Sequence, residues 1–166
     1  MNYYLLILLL GLAALLQTTL VPALQVFNAV PNLVLLVVVG YTMEYGSQRG
    51  LIWAFIGGLW LDLLAGTPFG ASAIALLITV AVIGLMSANL FRGHVLVVAL
   101  GGLLAGVLYG LIMVAILTLL GRQTQWLTAI VGVILPNAVY DAVLLPLLYP
   151  VVRWVGGVVN GRQAQI

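Results

Sequence analysis

Six apolar runs follow one another along the chain, the first two joined by a connection from Val21 to Val30 that contains Pro22 and the others separated by short polar, glycine or proline breaks. The runs are continuous rather than alternating, so the pattern predicts helices and not the strands of a closed barrel, the only other structure that spans lipid. Their boundaries fall at about residues 3–20, 31–43, 50–65, 71–91, 95–120 and 126–152, with residues 153–166 left as a tail. Pro31-Asn32-Leu33 opens the second run, where proline suits a first helical turn because its missing N–H would have had no partner. That run is short against a hydrocarbon thickness of about 30 Å. Glu44-Tyr45-Gly46-Ser47-Gln48-Arg49 reads as a polar loop, as do Arg92-Gly93-His94 and Arg122-Gln123-Thr124-Gln125. Pro136 interrupts the sixth run and should kink it unless neighbouring groups satisfy the carbonyl it frees.

Within this background the stretch from Gly50 to Gly70 places one carboxylate, Asp62, inside a helix. A charge there costs about 2.5–3.5 kcal/mol on insertion scales, so it needs compensation. Steps of four lead back to Gly58, Ala54 and Gly50 and forward to Gly66, a stripe of small residues that lets another helix approach and turns the acid toward protein. Gly66-Thr67-Pro68-Phe69-Gly70 then ends the helix in a tight turn. A second acid, Asp141, has Asn137 one turn before it on the same face. No arginine lies within a run, so neither acid has a counter-ion at membrane depth. One reading is a proton or cation site, or a polar pocket shared by the third and sixth helices. The other is that each acid is neutral or bonds to a helix end, an amide or a hydroxyl, and so fixes packing. The second is favoured, because transporters commonly show more convergent polar groups than Gln17, Asp62, Asn137 and Asp141 supply. Gly102, Gly106 and Gly110 recur at intervals of four and form the clearest close-packing face, used inside the bundle or, alternatively, for a homo-oligomer or partner contact.

Composition sharpens this. With 65% hydrophobic and 5% charged residues and a mean hydropathy of +1.32, the chain has too little polar surface to coat a soluble globule. An all-α integral membrane protein is expected, a single transmembrane domain of six helices. The N-terminus lacks a basic region and an A-x-A site, so the first run reads as a retained span. Five arginines against three acids give a net charge of +2, too little to suggest nucleic acid. Their placement is more informative: with the N-terminus cytoplasmic, Arg49, Arg92, Arg153 and Arg162 lie inside and only Arg122 outside, so both termini are expected in the cytoplasm. Trp126 and Trp154 then fall near opposite interfaces. The absence of cysteine excludes disulfides and thiolate chemistry. One histidine, His94, and two separated acids make no metal site, no serine has a base at a convincing spacing, and a chain without lysine has no phosphate-binding loop. No enzyme activity and no cofactor are expected. His94, beside Arg92, reads as a polar loop residue rather than a pH sensor.

Gln17-Thr18-Thr19-Leu20, Pro31-Asn32-Leu33 and above all the run from Gly58 through Asp62 to Gly66-Thr67-Pro68-Phe69-Gly70 carry a family resemblance, and Asn137 also fits it. The chain resembles the MreD family, small multi-pass rod-shape-determining proteins of bacteria. The resemblance implies a non-catalytic adaptor of the cell-elongation and peptidoglycan-synthesis machinery in the bacterial inner membrane. The partners it implies are MreC and, with it, the RodA glycosyltransferase and its class B penicillin-binding protein. The fold it implies is similar to the six-helix substrate-binding component of vitamin (ECF-type) transporters. That similarity supplies the alternative, a small-molecule-binding component of a transporter or an ion-coupled transporter. Against it, alanines spaced by four in the first span are not evident, since Ala13 is followed by Gln17. Partner binding or a structural polar role is expected of Asp62, Gly66, Pro68, Gly70, Asn137 and Asp141, and helix packing of Gly58, Gly102, Gly106 and Gly110.

Overall fold

A computed structural model describes residues 3–19, 30–90, 95–122 and 125–159, and every regular element among them is helical. The helices are α1 (Tyr3–Thr19), α2 (Leu33–Tyr45), α3 (Ser47–Ala65), α4 (Ala71–Leu90), α5 (Val95–Leu119) and α6 (Trp126–Val159). Within α6 a short α-helical start gives way to a π-helical turn, Ile130–Ile134, and then to Leu135–Val159. By length and composition α5 and α6 are each apolar enough to cross a bilayer, while Tyr4–Thr19, Leu33–Tyr45 and Ala71–Met86 are shorter apolar segments. His94, Arg92 and Arg162 lie outside the described residues.

The bundle is apolar inside and out. Val34, Leu35, Val38, Val39 and Tyr41 of α2 are fully buried, so α2 is the central helix. Leu8, Leu63, Leu85, Leu127 and Leu147 are between 64% and 80% exposed, an exterior suited to acyl chains and not to water. Lipid tails are as apolar as leucine, so nothing but close packing and hydrogen bonds selects which helices meet. Glycine does much of that selecting. A Cβ on Gly58 would lie 2.7 Å from the Ala73 backbone nitrogen, and one on Gly84 would strike Ser47, so α3 and α4 touch backbone to backbone. Cβ atoms on Gly102, Gly106 and Gly110 would come within 2.8–3.0 Å of Asp141, Ala138 and Ile134 respectively. The stripe at intervals of four is therefore occupied by α6 of the same chain. Gly50, Ala54, Gly58 and Asp62 are likewise buried, facing α2 and α4.

Four local differences from the sequence expectation have physical causes. The polar stretch 44–49 is not a loop: Gly46, at φ +91°, alone reverses the chain between α2 and α3, and its N–H donates to the Thr42 carbonyl. Glu44 stays helical because α6 supplies its partners, Arg153 Nε at 3.1 Å and the Tyr149 hydroxyl at 2.6 Å. Pro31 precedes the helix instead of opening it, since Asn32 is the cap. The last helix runs on past residue 152 to Val159, held where the Tyr45 hydroxyl donates to the Arg153 carbonyl and Gly156 admits the Tyr45 ring. Gly66, counted in the small-residue stripe, instead ends α3 at φ +64°. Pro136 follows directly on the π turn, whose wider winding separates the proline ring from the carbonyl of the preceding turn. Pro146 and Pro150, which the sequence reading did not weigh, also lie inside α6.

Gly58→Val should destabilise the bundle by about 1–3 kcal/mol, the usual cost of overpacking, because the added carbons meet backbone that cannot rotate away. Gly132→Ala, where nothing lies within 4 Å, should be neutral. Denaturant unfolding in micelles measures both, and equal midpoints for the two variants would contradict the backbone contact.

Candidate functional site

A helix that starts inside a bilayer presents N–H groups with neither intrahelical acceptors nor water. At 13 residues α2 is about 20 Å long, shorter than a hydrocarbon core of about 30 Å. Four side chains gather at its start. The Asn32 side chain accepts from Leu35 N–H at 3.1 Å, and Gln17 Oε1 of α1 accepts from Val34 N–H at 3.1 Å. From α6, Asp141 Oδ1 accepts from Asn32 N–H at 3.2 Å and Asn137 Oδ1 from Val30 N–H at 2.8 Å. A carboxylate suits this place because the helix dipole presents partial positive charge at its start. Asp141 is 2% exposed, and its backbone and carboxylate abut the positions where Gly102 and Gly106 lack side chains. Those glycines let α5 lie against α6 at the acid.

Asp62 does the same for α4, from the far side of a turn. Its Oδ2 accepts from Gly70 N–H at 2.8 Å and Ala73 N–H at 3.4 Å, and its Oδ1 from Ser72 N–H at 2.9 Å and the Thr67 hydroxyl at 2.8 Å. The acid near the end of α3 thus holds the start of α4, which explains a carboxylate in this helix without an arginine. The turn between them is built for the purpose. Gly66 and Gly70 take positive φ, +64° and +93°, and Pro68 has no N–H to leave unpaired while its carbonyl accepts from Ala71 N–H. Phe69 points away, 74% exposed.

The two carboxylates therefore serve two helix starts, and Tyr109 of α5 lies close to both. Sequence reasoning found Asp62, Asn137, Asp141 and Gln17, and Thr67 as part of the turn, but missed Ser72, Tyr109, the Thr67 bond to Asp62 and the capping role of Asn32. Of these only Asn32 carried a signal, as a preferred capping residue just ahead of an apolar run. Among the described residues no group of three or more histidine, aspartate or glutamate side chains could hold a metal ion.

A small all-α membrane protein whose buried polar side chains close helix ends is the class that this fold and site define. The family model described as rod shape-determining protein MreD matches residues 1–155. The chain belongs to the MreD family and is a rod-shape-determining membrane protein. No curated protein and no solved structure matches it.

Asp62→Leu strands the amides of Gly70, Ser72 and Ala73, each at about 1–3 kcal/mol if it stays buried and unpaired. Asp62→Asn keeps one acceptor oxygen and should cost less. Hydrogen exchange at the start of α4 should quicken most in Asp62→Leu; unchanged protection there would mean that the carboxylate does not hold the turn.

Proposed function

We propose that this protein is a non-catalytic adaptor of the bacterial cell-elongation machinery, binding MreC and, with it, RodA and the class B penicillin-binding protein. Family membership supports the setting. The observation that carries the adaptor reading is the use made of Asp62: the one acid in α3 is engaged by a turn that it holds in shape, and that turn presents an exposed Phe69. The described residues are nearly all helical, so the surfaces they offer a partner are helix faces and short turns, and a rigid turn gives a partner a surface that loses little freedom on binding. Asp62, Gly66, Pro68 and Gly70 then form the binding turn, while Asn137 and Asp141 maintain the bundle behind it.

The arrangement in the bilayer belongs to the same proposal. All six helices cross, with both termini cytoplasmic. Arg49, Arg153, Glu44 and Trp154 mark the cytoplasmic end, and Arg122 and Trp126 the opposite one. The α3–α4 turn faces outward, where a periplasmic partner reaches it. A self-association role for Gly102, Gly106 and Gly110 has less support, because α6 already covers them. The small-molecule alternative gains no specific observation, since Gln17 and Asp141 accept from amides at the start of α2 and Asn137 accepts from Val30 N–H just ahead of it.

Co-purification with MreC tests the reading. Phe69→Ala should weaken capture by about tenfold, as expected for an exposed aromatic anchor, while the chain still inserts and folds. Gly66→Leu should do so more severely, because a side chain at φ +64° distorts the turn. Full capture by both variants would refute the assignment.

A further inference from the structure

Glu44, Arg49 and Arg153 stand together at one end of the bundle, and none of the three is buried. Both oxygens of the acid are engaged: Oε1 meets Arg153 Nε at 3.1 Å, and Oε2 accepts from the Tyr149 hydroxyl at 2.6 Å. Two arginines against one carboxylate leave an excess of positive charge among the described residues at this end. A guanidinium carries five N–H donors in a planar fork, and Glu44 meets that of Arg153 at the Nε edge. The Arg153 side chain is 61% exposed, so its outer edge is open. Its carbonyl also accepts from the Tyr45 hydroxyl, so backbone and side chain are both held, and a group already held loses little freedom on taking a second partner.

Arg49 has no ion pair among the described residues. It stands in the first turn of α3, where the helix dipole disfavours a positive charge and no acid offsets it. Arg49 and Arg153 both lie near the Tyr45 side chain. Short of Arg153, α6 is apolar on its outer face. Val143, Leu147 and Val151 follow at intervals of four with Trp154 three residues on, and each is more than half exposed. Acyl chains therefore lie along this stripe, and headgroups at the level of Arg153, where the amphipathic Trp154 ring suits the boundary. What headgroups offer there is phosphate, which a guanidinium pairs through two parallel N–H bonds.

We propose that Arg153, supported by Arg49, binds the phosphate of an anionic phospholipid whose acyl chain lies along Val143, Leu147 and Val151. Charge selects the lipid: a zwitterionic headgroup brings its own ammonium to an end that is already positive, whereas phosphatidylglycerol brings only the negative charge. The site rests on the membrane character of the family and not on the adaptor reading, since the turn held by Asp62 lies at the far end of α3.

Native mass spectrometry of the full chain in dodecyl maltoside, titrated with phosphatidylglycerol or phosphatidylcholine, reads the preference. The unmodified chain should retain phosphatidylglycerol at least about fivefold better, the preference expected from one arginine at a membrane surface. Arg153→Gln should bring the ratio close to one, and Arg49→Gln should lower it part of the way. Glu44→Gln breaks the same ion pair but removes a negative charge, so its ratio should stay or rise. Arg122→Gln, which changes net charge equally but lies at the other end of α6, should leave it unchanged. An undiminished ratio in Arg153→Gln would overturn the proposal. So would an equal loss in Glu44→Gln, which would reduce the pair to a packing tie, or in Arg122→Gln, which would reduce the preference to net charge. Displacement of phosphatidylglycerol by millimolar inorganic phosphate would assign the site to a free anion and overturn the lipid.

Discussion

A backbone N–H at the start of a helix needs an acceptor, and in a bilayer only the protein can provide it. The rest of this structure depends on that constraint. Two of its helices have a carboxylate from another helix at their start: Asp141 for α2 and Asp62 for α4. The exchange is favourable on both sides. Each acid gains a donor in place of the water it lost, and the helix start gains an acceptor. This accounts for acids that have no arginine beside them.

Such bonds are short, so the helices that carry them must lie close, and the glycines make that closeness available. Gly102 and Gly106 let α5 press against α6 at Asp141, and Gly58 lets α3 press against α4 one turn from Asp62. At the other end a second polar group, Glu44 with Arg153, Tyr149 and the neighbouring Tyr45, ties α2 to α6 again. Beside it Trp53 stacks on Tyr41 with ring centroids 3.9 Å apart, and Tyr41 on Tyr45 at 4.6 Å. The central helix is thus fastened at both ends by side-chain chemistry and along its length by shape.

For a member of the MreD family this division of labour is informative. The polar groups that would attract attention as a transport or catalytic site, Gln17, Asp62, Asn137 and Asp141, are engaged by backbone amides at or just ahead of helix starts.

The sequence by itself determined the helices, because a continuous apolar run in a chain this poor in charge can satisfy its backbone in lipid in only one way. It also determined that Asp62 and the glycines at intervals of four face protein, since helical periodicity places them on one side whatever they meet. Which amides the acids would bond was beyond it. Val30 and Asn137, or Asn32 and Asp141, are more than a hundred residues apart, and no local pattern encodes such a pairing. The fate of the polar stretch 44–49 was hidden for the same reason: Glu44 is helical only because Arg153 and Tyr149 reach it. Periodicity is a property of one helix and can be read along the chain, whereas a hydrogen bond between helices exists only once packing has set the distance.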